Sequence, residues 1–114
     1  MAKLALQVAP DGEITELDLD SNALSVLQAA VDGLIEAVDL ANDLTLWVNE
    51  EGLLRNDLKL NLIAQAFYSA PIMGTIVFTG GADDEGGTLG LDSTNAASIE
   101  RVCQIFRDAF SDLS

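Results

Sequence analysis

Apolar and polar residues alternate from the first few positions of the chain. Leu4, Leu6 and Val8 alternate with Lys3, Ala5 and Gln7, the two-residue period of a half-buried strand. Pro10-Asp11-Gly12 supplies turn chemistry and Glu13 to Leu19 continues as a second strand, so a β-hairpin is the simplest pairing. Asp20 and Ser21 can accept hydrogen bonds from the free amides at a helix start. Leu24, Leu27, Val31 and Leu34 follow at spacings of three and four, which predicts a helix over about 22–32. Gly33 stands where a left-handed residue would end it.

The same reading continues to Ser114. Leu34 to Leu40 carries Ile35 and Val38 in a strand-like segment, and Asn42-Asp43 is turn chemistry. Leu44, Leu46 and Val48 then alternate with Thr45, Trp47 and Asn49, giving a second hairpin that Glu50-Glu51-Gly52 closes. Asn61 can cap a short helix carrying Leu62, Ile63, Ala66 and Phe67, which must stop before Pro71. Ile72 to Thr79 is nearly all apolar or β-branched, the composition of a strand covered on both faces in mid-sheet. A glycine-rich acidic loop, Gly80 to Gly90, precedes a final helix capped by Asp92 or Ser93. Its apolar stripe is Ile99, Val102, Cys103, Phe106 and Phe110, with Glu100, Arg101, Arg107 and Asp108 largely outside it. The expected fold is α+β, a mixed or mainly antiparallel sheet of about five strands covered by three helices, in the order β-β-α-β-β-α-β-α. One domain spans 1–114, since neither a repeat nor a linker divides the chain.

Composition sharpens this picture mainly through charge. Nineteen Asp and Glu face five Lys and Arg, a formal net charge of −14, which repels nucleic acid and anionic membrane. The same field suits a basic protein surface, including one that normally holds DNA, although acidity also serves solubility alone. A hydrophobic fraction of 49% is that of a chain that folds. No apolar run is long enough to span a bilayer and no signal sequence is recognisable, so a cytoplasmic protein is expected.

Candidate chemistry is sparse. The chain has no histidine, which removes the commonest general base and the commonest neutral metal ligand. Cys103, the single cysteine, lies on the apolar stripe of the last helix, where a buried structural thiol is the simpler reading than a nucleophile. Asp83, Asp84 and Glu85, between glycine pairs, are the most site-like stretch. They read as a solvated loop, a partner-binding loop or, less naturally, a hard-cation site, because their spacing is not that of alternating ligands. No Lys-Ser or Lys-Thr follows the glycines, so a phosphate loop does not fit. Trp47, opposite the Leu44, Leu46 and Val48 face, either fills a layer under a helix or anchors a partner; Glu50 and Glu51 lie close to it in sequence. Neither a catalytic residue, a metal ligand nor a cofactor is assigned.

Three segments carry a resemblance: 34–40 (Leu-Ile-Glu-Ala-Val-Asp-Leu), 46–52 (Leu-Trp-Val-Asn-Glu-Glu-Gly) and 74–80 (Gly-Thr-Ile-Val-Phe-Thr-Gly). With the acidic loop, Thr88 and Gly90-Leu91, they make the chain similar, mainly over 33–91, to a family of small uncharacterised proteins of actinobacteria and their phages, a domain of unknown function. Where such proteins often read Leu-Pro-x-Asn, this chain has Leu58-Lys59-Leu60-Asn61. The resemblance implies a phage or mobile-element setting, within the host cytoplasm, and no reaction. The expected function is therefore a non-enzymatic accessory protein that binds a host macromolecule. One form is acidic DNA mimicry against a basic nucleic-acid-binding protein, with Asp83, Asp84 and Glu85 in contact. The alternatives are a hydrophobic-anchor interaction module or homodimer using Trp47 or an exposed sheet face, and, third, a carboxylate and divalent-cation enzyme.

Overall fold

Four consecutive buried residues, Ile76 to Thr79, form the axis of the fold. The protein is described by a computed structural model over residues 3–19, 22–85 and 87–111, with 110 and 111 described by their backbone alone. Two hairpins flank that central strand. The first joins β1 (Leu4–Val8) to β2 (Ile14–Asp18), and the second joins β3 (Ile35–Ala41) to β4 (Leu44–Asn49). β5 (Ile76–Thr79) inserts between β1 and β4, giving one five-stranded sheet in the order β2-β1-β5-β4-β3, antiparallel at every junction. An apolar run without alternation belongs at this position, because both of its faces are covered.

Alternation elsewhere sorts the side chains onto two layers. Leu6, Val8, Leu46, Val48, Ile76 and Phe78 face α2 (Ser93–Ser111), which contributes Ala96, Ile99 and Cys103. On the opposite face Ala5 and Val77 pack with Leu27 and Val31 of α1 (Ala23–Val31), with Trp47 and Ile35 at the margin. Both hairpins and the first and last helices are present, and the expected central strand over 72–79 is present in its second half, 76–79, since 72–74 pair with 59–61 instead. Asp92 caps α2, its Oδ1 accepting from the Asn95 N–H at 2.7 Å. Asp20 and Ser21 lie outside the described residues, and Asn22 is the cap of α1. Phe110, expected on the apolar stripe of the last helix, lies outside the described side chains.

Two expectations need correction. The third helix is a single 3₁₀ turn, Ala64–Ala66, so the described residues contain two α-helices. Asn61 does cap that turn, its Oδ1 accepting from the N–H groups of Ile63 and Ala64 at 3.1 and 3.2 Å. Its backbone N–H, however, donates to the Ile72 carbonyl at 2.8 Å, and the Gly74 N–H donates to Lys59 at 2.7 Å. The intervening segment must therefore return to where it started, whereas a nine-residue helix would carry it about 13 Å away. The second correction is that Asp32, at φ 61° and ψ 49°, is the left-handed residue ending α1, in place of Gly33. Gly33 is required for space instead, since a Cβ there would stand 2.7 Å from Asn49 Nδ2.

Candidate functional site

Beyond β4 the chain turns through Glu50, Glu51 and Gly52. Gly52 is buried in contact with Met73, and a 3₁₀ turn, Gly52–Leu54, follows at once. The next two residues lie outside the core: Leu53 is 71% exposed and Leu54 83%. Two adjacent leucines in water are costly, each forgoing about 1.5–3 kcal/mol of burial. They border a groove of about 230 Å³ lined by Val38 and Val48 from the sheet and by Tyr68, Pro71 and Met73 from the connection that precedes β5. Glu36 and Glu50 are the charged residues of its lining; no lysine or arginine takes part.

A further depression, of about 530 Å³, sits at the end of α1 around Asp32, Asn49, Glu51 and Arg55. Three of its polar side chains, Arg55, Asp32 and Asn49, are engaged in hydrogen bonds. Arg55 Nη1 donates to the Asp32 carbonyl at 2.7 Å, Nη2 pairs with the Asp32 carboxylate at 3.0 Å and with Asp57 at 2.6 Å, and Nε donates to Asp57 at 2.9 Å. These bonds, Asp57 first, raise the guanidinium pKa, and Arg55 in turn holds the Asp57 carboxyl below the usual carboxylate range. Asn49 Nδ2 donates to the carbonyls of Val31 and Asp32, and its Oδ1 accepts from the Glu51 N–H. This cluster fastens α1 and the turn after β4 to each other.

The residues singled out in the sequence fall in three places. Trp47 is half-buried, its Nε1 donating to Thr79 Oγ1 at 2.8 Å, and it shares a small cleft of about 130 Å³ with Ala82 and Thr88 at the base of the acidic loop. That loop is a narrow hairpin extension, with the Gly80 N–H bonded to Leu89 and the Leu89 N–H to Gly81. Asp83 Oδ1 accepts from the N–H groups of Glu85 and Gly87 at 2.9 and 2.7 Å, so this carboxylate braces its own loop. Asp84 and Glu85 are exposed beside it. Among the described residues no group of three or more Asp, Glu or Cys is arranged to hold a metal ion. Glu50 lines the groove beside Leu53 and Leu54, whereas Glu51 lines the Arg55 depression. The structure thus joins Trp47 to the foot of the acidic loop and separates both from Glu50 and Glu51.

Leu53, Leu54 and Tyr68 carry no motif, and sequence reasoning passed over them. The available signal was Leu53-Leu54 directly after a Glu-Glu-Gly turn, two apolar residues with no alternation or helical spacing to bury them.

Cys103 is fully buried among the residues beneath α2, and burial pushes its thiol up to about 11, with Glu100 raising it further and Arg107 opposing. It is a protonated packing group at neutral pH. No helix among the described residues is long and apolar enough to cross a membrane. No curated protein and no solved structure matches the chain. A family model described as a domain of unknown function (DUF3846) matches residues 2–104, nearly the whole chain, and the protein belongs to that family.

Proposed function

We propose that this protein is a non-enzymatic binding domain that receives a cationic, partly apolar segment of another protein in the groove beside Leu53, Leu54 and Tyr68. The observation that carries the reading is the pair of exposed leucines bordering a groove of mixed polar and apolar lining whose charged residues, Glu36 and Glu50, are both acidic. Apolar contact supplies affinity when the leucines are covered, and the net charge of −14 steers a basic partner towards the surface. The lack of histidine and the buried, protonated Cys103 support a role without catalysis.

The setting that goes with this reading is an accessory protein of an actinobacterial phage or mobile element, acting in the host cytoplasm on a host protein. A basic nucleic-acid-binding protein is one such partner, with the acidic surface standing in for DNA. For contact specificity the groove ranks above the acidic loop, since Asp83 is committed to bracing its own turn.

Selection from a displayed library of random twelve-residue peptides tests the reading. Wild-type protein is expected to enrich peptides combining Lys or Arg with apolar residues. Changing both leucines, Leu53→Ser with Leu54→Ser, is expected to leave the fold intact and weaken those peptides by at least about tenfold, the size of effect that loss of a buried apolar anchor produces. Glu36→Gln with Glu50→Gln should weaken them less and flatten their salt dependence. Failure to enrich cationic peptides, or equal binding by the double-serine variant, would overturn the reading.

A further inference from the structure

The groove runs along an open sheet edge. β3 is the outermost strand, and the phase of its pairing follows from one hydrogen bond: the Glu50 N–H donates to the Leu34 carbonyl at 2.8 Å. In an antiparallel pair, residues bonded to the neighbouring strand recur every second position. Glu36, opposite Val48, and Val38, opposite Leu46, therefore turn their backbone groups inward to β4. Ile35, Ala37 and Asp39 turn theirs outward, away from the sheet. The register shift between Asp39 and Ala41 ends this regular stretch.

Resting on the groove reading, we infer that the partner segment binds as a sixth strand, pairing its backbone with the outward groups of Ile35, Ala37 and Asp39 and laying its groove-side residues beside Glu36 and Val38. Opposite residues of paired strands share a face, so the partner's side chains meet acids on both faces, Glu36 on the groove side and Asp39 on the α1 side. This selects Lys or Arg at those two levels and apolar residues beside Val38 and Ala37. A second copy of this chain is the less suited occupant, because each copy carries a net charge of −14 with Glu36 and Asp39 on its own β3, and acids on an edge disfavour self-pairing. The opposite edge, β2, suits a cationic strand less well. Its Glu16 already shares a depression with Arg101 and Arg107 of α2.

Strand addition makes a prediction that simple groove binding does not. In an extended peptide, alternate N–H groups point to opposite edges, so only half of them reach β3. The probe is a nine-residue peptide repeating lysine-valine-valine, which sets lysines three positions apart and on opposite faces, with two derivatives: one N-methylated at the odd-numbered residues, the other at the even-numbered ones. One derivative is expected to bind wild-type protein like the parent, and the other to lose at least about tenfold, since it forfeits each hydrogen bond to the edge. The amides of Ala37 and Asp39 should also exchange with solvent more slowly when the parent peptide is bound. Equal binding by both derivatives, with the parent still sensitive to Leu53→Ser and Leu54→Ser, would overturn strand addition and leave the groove reading standing. No binding of the parent to wild type would overturn both.

Discussion

Replacing Asn61 by leucine is expected to remove on the order of 3–5 kcal/mol of folding stability, a large fraction of what a domain of this size possesses. The Asn61 side chain is fully buried and makes four hydrogen bonds. Its Nδ2 donates to the Val8 and Gly74 carbonyls at 3.2 and 2.9 Å, and its Oδ1 accepts from Ile63 and Ala64. Leucine has the same branching with bulkier methyl groups, so it admits no water and strands those backbone groups without partners. Because this amide ties the end of β1 to the 3₁₀ turn and to the approach to β5, the loss should be cooperative. Denaturant unfolding followed by the fluorescence of Trp47 measures it; a loss below about 1 kcal/mol would mean that the amide is not what holds this region.

The second large effect is expected at Gly81. A Cβ built there would overlap the Asn42 carbonyl oxygen, a backbone atom of the turn between β3 and β4. No rotamer change relieves such a contact, so Gly81→Ala must push the acidic hairpin and that turn apart. The cost is expected to be about 2–4 kcal/mol, the range of overpacking against backbone. A control distinguishes space from chain entropy. Ala82→Gly, one residue further on at an exposed position, should cost under about 1 kcal/mol. Similar losses in the two variants, by thermal unfolding, would contradict the close approach.

These two residues also mark what the sequence could and could not convey. The central place of β5 was legible because only an unalternating apolar run tolerates burial on both faces, and the two hairpins were legible through period and turn chemistry. Trp47 was assigned to the face opposite Leu46 by alternation alone, and the register, Trp47 against Val77 and Leu46 against Phe78, agrees. The segment after Asn61 reads as a helix because its local spacing is helical. What forbids one is non-local, the pairing of 59–61 with 72–74, and no window of sequence contains it. The same holds for the left-handed Asp32, whose carbonyl is held by Arg55, a residue 23 positions away.

The site divides in the same manner. Charge pointed to the acidic loop, and Asp83 proves to be an internal brace, a role that Asp shares with any turn residue able to accept from amides two positions on. Glu50 was singled out for its charge and does line the groove, but the apolar residues beside it gave no pattern. Leu53 and Leu54 become conspicuous only once the 3₁₀ turn after β4 is seen to hold them outside the core.

The central claim is that the groove, rather than the acidity at large, is where a partner is held. Amide chemical-shift mapping of the isotopically labelled protein, titrated with the lysine-valine-valine repeat peptide at moderate salt, tests it most directly. The account predicts that the largest shifts fall on 36–40, 50–54 and 68–73, with the 83–85 loop nearly silent. Shifts centred on Asp83, Asp84 and Glu85, or spread evenly over the acidic surface, would contradict it.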